Sequence, residues 1–366
     1  MRLLFSSCLT EWGGGEQWML SAARGLSGRG HEVRLACHVG SALGRRAAAA
    51  DLPVDEVRFR GDLDPATSWR VWRICRRHRI ELCCLNMDKV LRVAGPAARL
   101  AGAAVVPRRG SESPVGGKPS HKYAYLKVAD GVIANSGATR DTMLASAPWL
   151  PPHKIRIIYN GIDCDRFAGA SARGRVRAEQ GAGPDDPVIV MVGELTSRKN
   201  HRVVVERLAA LLERRPGLQL WIVGEGPERE ALAGLAAAAG VGGALRLLGF
   251  RDDVPDLLQG ADLFCHPALR EGFGYAIAEA MAAGKPVIAA RASNIPEIVL
   301  DGETGLLVTP DDGAAWETAV AGLLADPDRA AALATAGRAR ARERYALDRM
   351  LDETEAYFRE CRTRRG

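Results

Sequence analysis

Two glutamates, and the glycines beside one of them, are the residues of this sequence best suited to chemistry. Glu271 precedes Gly272, Phe273 and Gly274, and Glu279 follows eight positions after Glu271. Apolar runs on either side of this segment predict a strand, a glycine-containing loop, a helix and a second strand. The free N–H groups and the dipole of a helix N-terminus favour a negative ligand, above all phosphate. We therefore predict a phosphate-binding loop with a carboxylate beside it.

The predicted helix has one apolar face, and the second glutamate lies off that face. The apolar residues at helical spacing are Phe273, Ala276, Ile277, Ala280 and Met281. Along a continuous helix the two glutamates would be about 12 Å apart, whereas the paired carboxylates of glycoside hydrolases are roughly 5–9.5 Å apart. We therefore expect two different roles. The spacing also allows a purely structural reading, in which Glu271 complements the helix dipole and Glu279 is solvated.

A pair of cations follows a predicted strand in the middle of the chain. Arg198 and Lys199 come shortly after Gly193, at the start of a predicted helix. Two cations at a helix N-terminus are typical of a pyrophosphate site. Two solvated surface charges remain the alternative.

Strands and helices alternate along the whole chain in two series. The predicted strands cover residues 2–6, 32–37, 54–59, 82–86, 103–107, 131–134 and 155–159, then 188–192, 218–223, 245–248, 262–265, 287–290 and 305–308. Helical patterns between them indicate two doubly wound α/β domains, and a length of 366 residues suits two domains. We predict domains at 1–167 and 168–345 and a final helix at 346–366, with a linker or short surface helix at 168–186.

Composition excludes several classes of protein. No apolar run reaches the about 18–20 residues of a membrane helix, and the start of the chain does not resemble a signal peptide. Eight cysteines without a Cys-x-x-Cys motif suit a reducing compartment and no zinc site, so we expect a cytoplasmic protein. The net charge of +6 arises in residues 1–170 and suggests an anionic partner. No nucleic-acid-binding motif accompanies it.

Two loops of the first domain are expected at the ligand-binding edge of its sheet. Gly14, Gly15 and Glu16 lie between the first strand and a helix predicted from Gln17, although a full G-x-G-x-x-G motif is missing. Arg108, Arg109 and Lys118 belong to a polar segment after another strand. Because loops at strand carboxyl ends face the ligand crevice, these cations are candidates to contact a phosphorylated or otherwise anionic acceptor.

A basic helix predicted at 68–78 carries two tryptophans. Trp69 and Trp72 stand among several arginines. Such a helix can dock on anionic lipid, or it can pack its tryptophans on the sheet beneath a solvated arginine face. We prefer the second interpretation and keep peripheral membrane contact as the alternative.

The segment from Glu271 to Glu279, with Ala280-Met-Ala-Ala-Gly-Lys-Pro-Val-Ile-Ala after it, resembles the signature of the retaining family 4 glycosyltransferases. Ile295-Pro-Glu-Ile-Val and Gly302-Glu-Thr-Gly-Leu-Leu-Val extend the resemblance. It covers nearly the whole chain. It implies the GT-B fold, in which two Rossmann-like domains face each other across a cleft and a C-terminal helix crosses back to the first domain.

The resemblance implies transfer of a sugar, with retention, from a nucleotide-diphosphate sugar to a glycan or lipid-linked acceptor in polysaccharide or lipopolysaccharide synthesis. The matching positions imply catalytic roles for Glu271 and Lys199, with Arg198 as the nearby second catalytic cation; donor binding by Glu279, Gly272, Phe273, Gly274, Gly193, Thr196, Phe250, Gly14 and Gly15; and acceptor binding by Glu16. Arg108, Arg109 and Lys118 remain acceptor-binding candidates because of their charge and their place after a strand. We expect no cofactor and no metal. A GT-B epimerase or phosphorylase, or a non-catalytic nucleotide-sugar binder, remains open.

The sequence departs from the family pattern at two positions. Glu194 stands where the family usually has an arginine, and Arg198 is the nearest cation that could replace it. Gly110 and Ser111 stand where the family commonly has a histidine. These differences leave the identity of the second cation and of the group near the sugar open.

Overall fold

Two parallel sheets organise the chain, in agreement with the alternation of strand and helix patterns. The computed structural model describes residues 1–61, 64–169 and 172–364. One unit consists of Met1–Gly161 together with a C-terminal helix, and the other of Ile162–Ala346. The segment 168–186, expected as a linker or short helix, contains a helix, and its positions 170 and 171 lie outside the described residues.

The first unit contains a seven-stranded parallel sheet in the order β3-β2-β1-β4-β5-β6-β7. Its strands are β1 Arg2–Ser7, β2 Glu32–His38, β3 Val54–Val57, β4 Leu82–Asn86, β5 Ala104–Arg109, β6 Val132–Ala134 and β7 Ile155–Ile157. Its helices are α1 Gly14–Gly28, α2 Ala42–Ala48, α3 Pro65–Arg77, α4 Asp88–Leu100, α5 Pro119–Tyr123 and α6 Gly137–Ser146. The strand order reverses between β1 and β4, and ligands of doubly wound sheets bind beyond the carboxyl ends of strands at such a switch point.

The strands of the first sheet bury side chains on both faces. Leu4 belongs to one apolar cluster, whereas Leu3 and Phe5 belong to the cluster on the other face. Successive side chains of a strand point to opposite faces, so a continuous apolar strand requires a helical layer on each side. This requirement is the physical reason why apolar runs predicted the strands well.

The second unit contains a six-stranded parallel sheet in the order β10-β9-β8-β11-β12-β13. Its strands are β8 Val188–Val192, β9 Gln219–Val223, β10 Leu245–Gly249, β11 Leu263–His266, β12 Val287–Ala290 and β13 Leu306–Val308. Its helices are α7 Cys164–Phe167, α8 Arg173–Gln180, α9 Arg202–Val205, α10 Leu208–Arg214, α11 Arg229–Ala238, α12 Val254–Gly260, α13 Tyr275–Ala282, α14 Ile295–Ile298, α15 Gly313–Ala325 and α16 Pro327–Tyr345. Here the switch point lies between β8 and β11.

The C-terminal helix, α17 Leu347–Thr363, packs in the first unit. Leu351 and Phe358 are buried there. A Cβ atom at Gly25 of α1 would lie 2.4 Å from a Leu351 methyl carbon, so the two helices meet where α1 lacks a side chain. Within the described part of the chain, every helix is too short or too polar to span a bilayer.

Candidate active site

Three side chains meet at the switch point of the second sheet. Lys199 ends the short 3-10 turn after β8, and His266 is the last residue of β11. The Lys199 ammonium pairs with the Glu271 carboxylate, and His266 Nε2 lies 3.0 Å from the same oxygen, Oε2. Because β8 and β11 are neighbours in the sheet, the fold joins residues that lie 72 positions apart in the sequence.

The Glu271 carboxylate is charged although it is buried. Burial alone would raise the pKa of Glu271, but the Lys199 charge and the His266 hydrogen bond hold it well below its usual range. Burial and the Lys199 charge lower the pKa of His266. Burial, His266 and Lys199 lower the pKa of the neighbouring His201 to about 3. Both imidazoles are therefore neutral at pH 7, and the hydrogen bond places the His266 proton on Nε2.

The loop after β12 holds the backbone around Glu271. Ser293 Oγ donates to the Glu271 carbonyl at 2.9 Å and accepts from the Glu271 N–H at 3.2 Å. Asn294 Nδ2 donates to the carbonyls of Gly272 at 3.2 Å and Phe273 at 2.9 Å. Sequence reasoning missed both residues and His266; their place directly before the Ile295 motif was the available signal for Ser293 and Asn294.

The glycine loop leads into α13, which begins at Tyr275, so Phe273 belongs to the loop although it shares the apolar spacing of the helix. Gly274 precedes the helix with φ +94°, a left-handed conformation that favours glycine. Phe273 is buried and packs edge-on against Tyr345 at 5.5 Å. Its ring therefore anchors the loop. Glu279 is half-buried on α13, and its ligand-binding role stays a prediction.

The loop after β8 is shaped by close backbone packing. A Cβ atom at Gly193 would lie 3.4 Å from Lys199 Cε, and one at Gly224 would lie 2.0 Å from the Gly193 carbonyl oxygen. The Thr196 hydroxyl oxygen is buried and has no hydrogen-bond partner among the described residues. A buried hydroxyl without a partner is costly. The loop thus offers a polar group beside Lys199 that a ligand could satisfy.

Arg198 lies at the surface of the same turn. Its Nη1 donates to the Arg270 carbonyl at 3.3 Å, and its Nη2 lies 3.6 Å from the Glu194 carboxylate. The Arg198 side chain is 44% exposed. The acidic residue at the family's arginine position therefore contacts Arg198, and the replacement of that arginine by Arg198 stays a prediction.

The switch point of the first sheet also carries a buried carboxylate. Glu16 accepts from Ser7 Oγ at 2.9 Å and from Asn86 Nδ2 at 3.1 Å, and burial is the main cause that raises the pKa of Glu16. Gly14 and Gly15 form the first turn of α1, which begins three residues before the predicted start at Gln17. Their assigned ligand contacts remain predictions.

The arginines expected in an exposed loop lie inside the first unit, because β5 extends to Arg109 instead of ending at Pro107. The buried Arg108 donates to Asn160 Oδ1 at 2.8 Å, and its guanidinium lies 4.6 Å from the Trp18 ring centre. Arg109 pairs with Asp88. The expectation that these two arginines are loop residues is wrong.

The other predicted contact residues are exposed. Lys118 lies at the surface, and Phe250, directly after β10, is 62% exposed. On α3, Trp69 is 57% exposed and Arg73 lies 4.9 Å from its ring centre. Only the half-buried Trp72 packs against the core. Our preferred interpretation, that both tryptophans pack on the sheet, is therefore wrong for Trp69.

Two doubly wound units form the fold of GT-B glycosyltransferases, and here the second unit carries a charged cluster at its switch point. The structure resembles that of Anabaena Alr3699/HepE in complex with UDP, with a TM-score of 0.88 at 22% identity over 98% of this chain and 100% of the other. It also resembles WaaG, a glycosyltransferase involved in lipopolysaccharide biosynthesis, with a TM-score of 0.73 at 19% identity over 97% and 99% of the two chains.

Sequence comparison gives the family. The model for group 1 glycosyl transferases matches residues 173–340, and the model for glycosyltransferase family 4 matches residues 12–166. A GDP-mannose-dependent alpha-(1-6)-phosphatidylinositol monomannoside mannosyltransferase of Mycolicibacterium smegmatis is 36% identical over 78% of this chain and 76% of its own length. The lipopolysaccharide core biosynthesis glycosyltransferase LpsE of Rhizobium meliloti is 29% identical over 59% of this chain and 60% of its own. This chain belongs to the group 1, family 4 glycosyltransferases.

Proposed function

We propose that this glycosyltransferase moves a sugar, with retention of anomeric configuration, from a nucleotide-diphosphate sugar to a glycan or lipid-linked acceptor in cell-surface polysaccharide or lipopolysaccharide synthesis. The observation that carries the proposal is the buried cluster of Lys199, Glu271 and His266 at the switch point between β8 and β11. Such a position is where doubly wound sheets bind ligands. The cluster combines a cation for phosphate with a carboxylate for hydroxyl groups.

Lys199 is the group that stabilises the departing diphosphate. Arg198 and the N–H groups of Phe273 and Gly274 add to this positive environment, and the Thr196 hydroxyl offers a further hydrogen bond. A well-placed donor of this kind is worth about 3–4 kcal/mol in a transition state. Because these groups carry the charge compensation, the reaction proceeds without a metal.

The two glutamates serve different parts of the donor. Glu271 orients sugar hydroxyls: its Oε2 is occupied by Lys199 and His266, and its Oε1 accepts the Gly272 N–H at 3.1 Å. A carboxylate oxygen has two lone pairs, so Oε1 retains capacity for one hydroxyl. Glu279 accepts from the ribose hydroxyls, and Phe250 borders the base.

The relative at 36% identity indicates the substrates to test first. Its name states a GDP-mannose donor and a phosphatidylinositol monomannoside acceptor, and a lipid-linked acceptor requires access to a membrane surface. The exposed face of α3 suits that contact, because Trp69, Arg70 and Arg73 combine an interfacial aromatic residue with cations. Co-sedimentation with phosphatidylglycerol but not phosphatidylcholine vesicles, weakened by Trp69→Ala, is the expected result.

Calorimetry with GDP, UDP and ADP tests the donor site. We expect selective binding of one diphosphate, weakened by Lys199→Ala and by Glu279→Ala. Arg202→Ala is the matched control, because Arg202 is a nearby exposed cation whose ion-pair partner within the described residues is Glu206, the residue that follows α9. Failure of all three diphosphates to bind, with the protein folded, would refute the nucleotide-sugar proposal.

Product analysis then separates the reaction classes. With donor and acceptor supplied, NMR of the new glycosidic bond should show the anomeric configuration of the donor. Conversion of the donor alone would indicate an epimerase. Tight donor binding without turnover on any acceptor would indicate a non-catalytic binder.

A further inference from the structure

His266 makes a contact that the roles assigned so far do not use. Its side chain is 3% exposed, and its Nε2 faces Glu271 Oε2 at 3.0 Å. The ring lies nearly parallel to Phe264, at 15° with centres 6.0 Å apart, and β11 fixes its backbone. The imidazole is therefore held in one orientation by packing and by a strand.

Lys199 has two partners if the proposed function holds. It pairs with Glu271 in the structure, and the donor diphosphate needs the same ammonium group. Removing the cation from a buried carboxylate is strongly unfavourable unless other donors compensate the charge. Within the described residues, Glu271 has two further donors to its carboxylate, His266 Nε2–H at 3.0 Å and the Gly272 N–H at 3.1 Å.

We propose that His266 is a positioning residue, which keeps the Glu271 carboxylate oriented and compensated while Lys199 turns toward the donor diphosphate. The inference rests on the proposed function and deepens it. The charged groups that face His266 are Glu271, Lys199 and Arg198, and the neighbouring His201 is neutral. A neutral His266 can donate to Glu271 without competing electrostatically for the diphosphate.

A double-mutant cycle tests the proposal. The quantity measured is the affinity of each variant for whichever nucleoside diphosphate the wild type binds. His266→Leu should weaken binding roughly tenfold when Glu271 is present. In a Glu271→Gln background the same change should cost less than about twofold, because no buried charge then needs compensation. His266→Gln, whose amide nitrogen approaches the position of Nε2, should restore most of the affinity.

The pH profile of binding adds a second readout. Loss of the His266 N–H removes a donor to ionised Glu271 and should raise the pKa of that carboxyl. The loss of diphosphate binding at acid pH should therefore begin at a higher pH in His266→Leu and return to the wild-type pH in His266→Gln.

Equal losses of affinity in both Glu271 backgrounds, or no loss in either, would overturn the proposal. If His266→Leu does not fold, as judged by circular dichroism, His266→Asn replaces it, because its shorter amide does not reach the Nε2 position. A wild type that binds no diphosphate would refute the proposed function itself, which is a distinguishable result.

Discussion

The switch points of the two sheets each hold a buried carboxylate, but their partners differ in charge. In the second unit Glu271 faces Lys199, and its pKa lies well below the usual range. In the first unit Glu16 accepts hydrogen bonds from the neutral Ser7 and Asn86, and burial raises its pKa more than these bonds and the Arg108 charge lower it. The same position in the same type of fold therefore yields two different electrostatic environments.

The difference shows what a switch point provides and what the sequence must add. The sheet brings a loop and a helix N-terminus to one place, but the charge of the neighbouring donors sets the ionisation of the carboxylate. A full ammonium charge suits a diphosphate leaving group. A carboxylate held by neutral donors suits recognition of substrate hydroxyl groups on which no charge develops during the reaction.

The largest expected effect follows from removal of the cation. Lys199→Ala should lower turnover by roughly 100–1,000-fold, because one well-placed donor to the developing charge is lost. Ser7→Ala, the corresponding loss of a neutral donor in the first unit, should cost less than about tenfold. Steady-state transfer rates of both variants test the contrast, and turnover unchanged by Lys199→Ala would end the assignment.

The same chemical change should destabilise the protein much more at Glu271 than at Glu16. Glu271→Gln should destabilise the protein by about 3 kcal/mol at pH 7, because the largely buried Lys199 ammonium loses its counter-charge. Glu16→Gln should leave stability within about 1 kcal/mol of wild type, because a neutral acceptor still serves Ser7 and Asn86. Denaturant unfolding of the full chain measures both, and equal destabilisation would contradict the comparison.

The pH dependence of stability should also differ in sign. Because the folded pKa of Glu271 is lowered, its contribution is present above the unfolded value of about 4.3 and is lost as pH falls through the folded pKa. Because the folded pKa of Glu16 is raised, its contribution is present below about pH 4.3 and is lost as pH rises through the folded pKa.

Unfolding free energies measured from pH 3 to pH 8 should show these two dependences separately. Glu271→Gln should flatten the acid side of the profile. Glu16→Gln should remove a decline above about pH 4.3. A Glu16→Gln profile parallel to that of the wild type would show that Glu16 does not titrate in this range.

The sequence predicted the sheets and part of the site for different reasons. A buried parallel strand is apolar on both faces, so β8 was predicted with its observed bounds, Val188–Val192. Lys199 and Glu271 were identified from local patterns. Their ion pair depends on β8 and β11 lying side by side, which no local pattern states.

Residues whose role comes from a distant partner could not be assigned. His266 is indistinguishable from an ordinary strand-end residue until the fold places Glu271 beside it. Ser293 likewise hydrogen-bonds to the Glu271 backbone, which lies 22 positions away in the sequence. Arg109 was predicted in a loop because it stands at the start of a long polar segment. Its pairing with Asp88 compensates its charge and so permits its burial in the strand.

The smallest expected effect is no change in rate. It tests whether the positive charge at the second switch point is sufficient to stabilise the leaving group without a metal ion. If Lys199 and Arg198 compensate the diphosphate, treatment with EDTA should leave the transfer rate unchanged, because no divalent cation is needed to stabilise the leaving group. The matched measurement is the same treatment of Lys199→Ala, in which added Mg²⁺ should recover part of the lost rate by supplying the missing charge. Loss of wild-type activity in EDTA, restored by Mg²⁺, would instead place the decisive positive charge on a metal and reduce Lys199 to the counter-ion of Glu271.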